Sequence, residues 1–258
     1  MRIRRVFFGT LAVAVVVLAS ACGGSPPADK PAETAAPAAA VPASPPSVSA
    51  HMDDHFGKAA EAHYALLRGD LEAAKEPATW IAEHQEVAGL PAAAGPAIEQ
   101  MRKGARQMAE AVDVAAAAQG AAAMAVACGQ CHAASGAMPK FRQVAPVAAR
   151  SEASAHMIEH QQALDLLYQG LIGPSARAWA DGAKALKGVP LAGAKLPQDP
   201  LLTKERLAAE AAVHALADQA AAATDVPTKT EVYGKLAANC ASCHALHGRV
   251  WGPGLPKR

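Results

Sequence analysis

The sequence predicts an all-α protein. From about residue 49 onward the chain is rich in Ala, Leu, Met, Glu, Lys and Gln, which have high helix propensity. No segment of this region alternates apolar and polar residues in the way that a half-buried β-strand does. In addition, Gly, Pro, Ser and Asp recur at intervals that suit the beginnings and ends of successive helices.

The first 22 residues have the composition of an export signal. Three arginines precede an apolar stretch over residues 6–18, and Ala19-Ser20-Ala21 supplies the small residues of a cleavage site. The apolar stretch is short for a membrane-spanning helix. The residues before Cys22 also resemble the lipobox of bacterial lipoproteins, although Leu18 lies one position further from the cysteine than is usual. We expect export to the periplasm, with lipidation of Cys22 or release by an A-x-A peptidase as the two alternatives.

Residues 23–50 are dominated by Pro, Ala and Ser and have almost no large apolar side chain, so they are expected to form a disordered linker. The rest of the chain is long enough for two small domains, which we place at 51–148 and 149–258. The 24 Lys and Arg residues balance 23 Asp and Glu residues, for a formal net charge of +1. Because there is no run of like charge, we expect no nucleic-acid partner.

Helix-breaking and capping residues divide the first domain into four predicted helices. The first is expected to end near Gly69, and the second begins at Asp70. The third begins near Pro96, after a Gly- and Pro-containing loop over residues 89–95. The fourth ends at His132, so that four helices fill the domain.

The second domain repeats this order of helices. We expect one helix from about 151 to 171, one beginning around Pro174 and Ser175, one from about Pro200, and one from about 227 to His244. The order therefore indicates an internal duplication.

Short sequence echoes support the duplication. The pattern His-Met-x-x-His occurs at 51–55 and again at 156–160, and a Leu-Leu pair precedes a glycine in both halves. Trp80 and Trp179 form a further pair. The sequence thus predicts a tandem duplication of two compact four-helix bundles.

Each half ends with a C-x-x-C-H motif, the attachment signature of c-type haem. Two thiols three positions apart on a helix can each add to one vinyl group of a haem, and the adjacent histidine then becomes the proximal iron ligand. Of the five cysteines, only Cys22 lies outside these motifs. We therefore expect two covalently attached haem c groups, held by Cys128, Cys131 and His132 and by Cys240, Cys243 and His244. With only 4% aromatic residues, each half is short of large core side chains that a haem would supply.

Two other interpretations of paired C-x-x-C motifs are a zinc site and a redox-active dithiol. A zinc site would have to join pairs that are more than one hundred residues apart and would leave two identically placed histidines unused. Dithiol enzymes of this kind lie on a βαβ pattern, which this sequence lacks. Neither interpretation accounts for the duplication.

In helix number and motif position, each half resembles the cytochrome c prime family. Members of that family are four-helix bundles with C-x-x-C-H on the last helix and any distal iron ligand on the first. The resemblance covers each half separately, and these halves are shorter than is usual for the family. It implies that the first helix of each half supplies the distal ligand.

Only 14 residues follow His244, so a distal ligand must lie upstream of the motif. We favour His55 and His160, the last residues of the two His-Met-x-x-His patterns. Side chains within one turn of them on the same helix are alternates: His51, Met52, His156 and Met157. The remaining histidines are expected to be surface or capping residues: His63, His84, His214 and His247.

These features predict an exported dihaem cytochrome that transfers electrons between redox partner proteins, with no organic substrate and no enzymatic activity. A lipid anchor at Cys22 would hold it on the periplasmic side of a bacterial membrane. One alternative is binding or sensing of NO or CO at an open or displaceable distal position. Another is dihaem peroxidase activity, which would need an acid/base group beside an open distal position. The known dihaem peroxidases use the mitochondrial-type cytochrome fold.

Overall fold

A computed structural model of the chain describes residues 47–84, 88–141, 148–188 and 203–247. The predicted export signal, 1–22, lies outside the described residues, together with residues 23–46 of the predicted linker. Within the described ranges the chain forms eight α-helices and one short 3-10 helix, and it contains no β-strand. The prediction of an all-α protein is confirmed.

The helices follow one another in the predicted order, and their bounds are α1 Val48–Leu67, α2 Leu71–Glu83, α3 Gly95–Ala109, α4 Val114–Ser135, α5 Glu152–Ile172, α6 Ala176–Leu186, α7 Thr203–Ala222 and α8 Val226–His247. A 3-10 helix, Ala92–Ala94, precedes α3. Three bounds differ from those predicted by three residues. Helix α1 begins at Val48, before the expected domain start at 51. Helix α4 continues past His132 to Ser135, and α8 continues past His244 to His247. The predicted start of a helix near Pro200 lies outside the described residues.

Side-chain N-caps explain why the helices begin where they do. Each capping oxygen accepts a hydrogen bond from the backbone N–H three residues later, which satisfies one of the donors left unpaired at a helix start. The caps with this geometry are Ser47, Asp70, Asp113, Ser151, Ser175 and Asp225. At the other end of α1, Gly69 has a φ of +72°, which a residue with a side chain rarely adopts.

The described helices pack into one compact unit. In the first half, α1 packs on α2, α2 on α3 and α3 on α4; in the second half, the same sequence of contacts runs from α5 to α8. The two halves meet where α4 packs against α8 and α5, and where α1 packs against α8. Core residues of both predicted domains therefore belong to one continuous apolar cluster.

Helix α4 lies at the centre of this arrangement. Its buried face consists of small residues, including Ala117, Ala118, Ala121 and Ala125, which allow neighbouring helices to approach closely. In length and apolarity α4 would suffice to cross a membrane, and half of its most apolar stretch is buried against the other helices. The helix that carries the first C-x-x-C-H motif is thus also the main core helix.

Candidate functional site

The first C-x-x-C-H motif opens into a large cavity. Cys128, Cys131 and His132 lie near the end of α4 and line a space of about 660 Å³. Cofactor pockets in proteins fall in a range of roughly 300–1,000 Å³. The other walls come from α1, α2, α3, the segment 137–141 and the end of α5.

His132 is held in a defined orientation by the second half of the chain. Its Nδ1 lies 2.8 Å from the carbonyl oxygen of Ile172, the last residue of α5. Because a carbonyl oxygen can only accept, the Nδ1–H of His132 donates this bond and the lone pair on Nε2 remains available. Metal-binding histidines are oriented in this way by a bond from the other ring nitrogen.

Three histidines cluster in the same cavity, on its α1 and α2 walls. The ring centroids of His51 and His55 are 4.3 Å apart, and the ring of His84 lies 5.2 Å from both. Their candidate ligand atoms all lie within 4.8 Å of one another. Trp80 stacks on His84 at a centroid distance of 3.8 Å, so the cluster has an aromatic backing.

The Nε2 atom of His55 is the unsatisfied atom of this cluster. It is buried and has no hydrogen-bond partner among the described residues. Burial, together with the nearby His51, His84 and Arg102, lowers the pKa of His55 to about 4. The imidazole is therefore neutral at pH 7, which is the form that can bind a metal ion.

The structure brings the predicted distal candidate and the first motif into one cavity. His55, with its alternates His51 and Met52, lines the same space as Cys128 and His132. The sequence analysis missed the role of His84. His84 is the C-cap residue of α2, which agrees with its prediction as a surface or capping residue, but its ring belongs to the histidine cluster. Arg102 donates to its carbonyl oxygen at 3.0 Å.

The histidine of the second motif is oriented in the same way, with the two halves exchanged. Cys240, Cys243 and His244 lie on α8, and His244 is buried. The Nδ1–H of His244 donates to the carbonyl oxygen of Leu67, the last residue of α1, at 2.5 Å. Nε2 of His244 is thus the ring nitrogen that a metal ion could take.

A second polar cluster lies next to this motif. His156 and His160 on α5 meet Glu210 and His214 on α7, and their candidate ligand atoms all lie within 4.8 Å of one another. Oε1 of Glu210 is 2.6 Å from Nε2 of His156 and 3.2 Å from Nε2 of His214. Burial lowers the pKa of His160 to about 4, with the neighbouring His156 as the next cause.

The cluster is close to the second motif because a hydrogen bond joins α7 and α8 next to both of them. Nδ2 of Asn239, the residue before Cys240, donates to the carbonyl oxygen of Ala209, the residue before Glu210, at 2.9 Å. The predicted candidate His160 and its alternate His156 therefore lie near the second motif. Glu210 was not predicted. His214, predicted to be a surface or capping residue, is half-buried and contacts Glu210.

The four motif cysteines are present as free thiols with raised pKa values. Burial, and then the neighbouring motif thiol, raises the pKa of Cys128 and of Cys240 to about 12. Burial likewise raises the pKa of Cys131 and of Cys243. A redox-active dithiol needs a lowered thiol pKa, so the environment of these cysteines does not favour that interpretation.

A buried aromatic cluster lies where α1, α5 and α8 meet. The ring of His63 stacks on Tyr168 at a centroid distance of 4.3 Å, and Tyr168 lies 5.7 Å from Tyr233. The hydroxyl of Tyr233 is 3.3 Å from Nδ1 of His63. Cys128 and Cys240 pack against the core cluster that contains Tyr168 and Tyr233, so both motifs border the same core.

The prediction of His63 as a surface or capping residue is wrong, since only 1% of it is exposed. Two helices from the other half cover the face of α1 on which it lies.

The side chain of the other unassigned histidine, His247, lies outside the described residues. Trp80 and Trp179, which the sequence pairs, have different surroundings. Trp80 stacks on His84. Trp179 is buried in the core, and its Nε1–H donates to the carbonyl oxygen of Ala220 at 2.8 Å.

Comparison with known proteins found no matching protein-family model, no matching curated protein and no matching solved structure. The resemblance to the cytochrome c prime family therefore rests on helix order and on the position of the two C-x-x-C-H motifs. The chemistry of the site is defined by its donors: two thiols, an oriented imidazole and a neutral, unpartnered imidazole nitrogen in one cavity.

Proposed function

We propose that the protein is an exported dihaem c-type cytochrome that transfers electrons, and that its fold is a tandem duplication of a four-helix unit. The observation that carries this proposal is the cavity beside α4. It joins both thiols of the first motif, an oriented His132 and the Nε2 of His55, which has no hydrogen-bond partner in the described part of the chain.

The residues of this cavity fit a haem c group. Cys128 and Cys131 would hold it by thioether bonds, His132 would be the proximal iron ligand, and His55 the distal ligand, with His51 and Met52 as alternates. The remaining lining is largely apolar and includes Ile81, Ile98, Met101 and Met124. A bound haem supplies one-electron chemistry, for which no organic substrate and no catalytic group are needed.

The residues around the cavity would tune and protect the site. The Ile172 carbonyl holds His132 in one tautomer, which fixes the ring and raises its basicity as a ligand. Apolar side chains exclude water, and burial keeps His55 neutral. The protein's contribution is therefore orientation and dielectric environment, which are the means by which proteins set haem potentials.

For the second half we propose a haem held by Cys240, Cys243 and His244. His160 is the candidate distal ligand, with His156 and Met157 as alternates. The duplication is supported by the repeated order of helices and by the pair of exchanged histidine bonds, from His132 to α5 and from His244 to α1. The aromatic cluster of His63, Tyr168 and Tyr233 would lie along the route between the two haems.

The proposed setting is the periplasmic side of a bacterial membrane, with a lipid anchor at Cys22 and redox proteins as partners. A second candidate function is binding of NO or CO at an open distal position. This is favoured for the second half, because both histidine candidates there, His160 and His156, lie in a cluster with Glu210 and His214. Peroxidase activity would require such an open position as well.

The proposal is tested by a reduced-minus-oxidised visible spectrum of the protein matured with haem c, followed by addition of CO. Sharp low-spin bands that CO leaves unchanged support two six-coordinate haems and electron transfer. A high-spin fraction that binds CO supports the second candidate function. Absence of haem bands would contradict both.

A further inference from the structure

The cluster of His156, His160, Glu210 and His214, hereafter the N3O cluster, has the features of a preformed metal site. On each of the two helices the residues are four positions apart, which puts them on one helix face. The two faces converge, so that all four candidate ligand atoms lie within 4.8 Å of one another.

We propose that the N3O cluster binds one divalent transition metal ion of the zinc class, which is separate from any haem iron. Three imidazole nitrogens and one carboxylate oxygen form a ligand set that suits Zn²⁺ and its neighbours in the first transition row. This inference uses only side chains outside the C-x-x-C-H motifs, and it assigns to the ion two of the three distal candidates of the second haem, His156 and His160.

The distances fit a tetrahedral ion. With Zn–N and Zn–O bonds of about 2.0–2.2 Å, ligand atoms in a tetrahedral site are roughly 3.4 Å apart. Oε1 of Glu210 lies 2.6 Å and 3.2 Å from the Nε2 atoms of His156 and His214, and no pair of candidate atoms is further apart than 4.8 Å. Side-chain rotations that change these separations by up to about 1.4 Å would place all four around one ion.

Burial supports the same conclusion. Glu210 is 7% exposed and His156 is 8% exposed, and buried polar groups in proteins are held by hydrogen bonds or coordinate metal ions. One carboxylate serves both His156 and His214 through the same oxygen, while His160 lies within reach of that group. A divalent cation would accept a lone pair from each of the four side chains.

The comparable cluster in the first half is different. Among the residues that the structure describes, His51, His55 and His84 bring three imidazoles together without a carboxylate, and a buried nitrogen of His55 has no hydrogen-bond partner. The first cluster therefore suits a distal haem ligand, whereas the N3O cluster suits an ion of its own. On this view His156 and His160 ligate that ion, and Met157 is the distal candidate that is left for the second haem.

The test is Zn²⁺ binding by the purified full-length protein after removal of metal with a chelator. Calorimetry and metal analysis would be done on the wild type and on E210Q, H214A and H84A, the last being the matched control in the first cluster. We expect one tight Zn²⁺ site that H84A retains, and that E210Q and H214A each weaken by at least about tenfold. Circular dichroism and haem content should match the wild type in all variants, which separates this result from failure of the proposed function.

X-ray absorption at the zinc edge identifies the ligands. A shell of nitrogen and oxygen scatterers without sulfur supports the N3O cluster, and a sulfur shell would place the ion at the cysteine motifs and overturn the proposal. Unchanged affinity in both E210Q and H214A would overturn it too, as would a wild-type protein that binds no Zn²⁺. Haem content of the same samples reports on the cytochrome proposal independently.

Discussion

The Nδ1–H of His132 donates to the carbonyl oxygen of Ile172 at 2.8 Å, which ties the histidine of the first motif to the last residue of α5. The converse bond joins His244 of the second motif to Leu67, the last residue of α1. Each half of the chain thus orients the motif histidine of the other half. Two independent domains joined by a linker would not need this exchange.

The contact that places Ile172 beside His132 depends on Gly129, inside the first motif. A Cβ atom there would overlap the carbonyl oxygen of Leu171, so G129A must push α5 away from α4. We expect a loss of about 1–3 kcal/mol of unfolding free energy, as for other overpacked helix contacts. Chemical denaturation would measure it.

The matched control is G57A in α1, where a Cβ atom meets nothing within 4 Å. This variant should be more stable by about 0.5–1 kcal/mol, because alanine favours the helix over glycine. Equal effects of G129A and G57A would show that the α4–α5 contact is not as tight as described.

In the equivalent contact between α1 and α8, the glycine is Gly69, at the end of α1. G69A would suffer twice, from its positive φ of 72° and from a Cβ placed 2.6 Å from the carbonyl oxygen of Ala241. Gly136 offers the control, since it has a similar φ of 68° but open space around its Cβ position. G136A should cost only about 1–2 kcal/mol of conformational strain, and G69A clearly more in the same denaturation experiment.

His55 is expected to be the distal ligand of the first haem, which makes H55A a direct probe. Removing its imidazole should open one iron position, so the reduced protein would gain a CO-binding haem that is visible as a shift of the Soret band. H51A changes a neighbouring histidine of the same cluster and should gain no such fraction. If H51A rather than H55A binds CO, the distal ligand is the alternate, His51.

Asp165 should make the stability depend on pH. Burial raises the pKa of its carboxyl to about 7, against a hydrogen bond from Tyr64 at 3.2 Å that lowers it. His63 lies 3.9 Å from the carboxyl and stays neutral, because burial lowers its pKa to about 3. The buried hydroxyls of Tyr168 and Tyr233 face the same region.

The sign of this pH dependence follows from which state, folded or unfolded, holds a proton on Asp165. Between pH 4 and pH 7 the folded state holds a proton on Asp165 that the unfolded state has lost, so stability falls as pH rises through this window. D165N should remove this loss of stability, so that its unfolding free energy at pH 8 exceeds that of the wild type by on the order of 1–3 kcal/mol. At pH 4 the two proteins should be alike. Thermal unfolding across pH tests this, with D181N on the exposed face of α6 as a control that should show no such change.

Local signals allowed most helix boundaries to be predicted. Asp70, Ser151 and Ser175 begin helices because a side-chain oxygen caps nearby backbone donors, and this interaction is encoded within four residues of sequence. The C-x-x-C-H motifs are equally local. The positions of these elements could therefore be obtained without knowledge of the tertiary structure.

The interactions between helices could not be predicted in the same way. The bonds from His132 and His244 go to backbone carbonyls, which leave no mark in the sequence. His84 and His214 join their clusters across helices, so their surroundings depend on packing. The burial of His63 had one overlooked signal, its position among the apolar residues 62–67 of α1, most of which are buried.

The central claim is that each C-x-x-C-H motif carries its own haem. Intact mass spectrometry of the protein matured with haem c tests it most directly, using the wild type and the double variants C128S/C131S and C240S/C243S. We expect the wild type to carry the mass of two haems and each double variant the mass of one. A wild-type chain at the mass of the polypeptide alone would contradict the account.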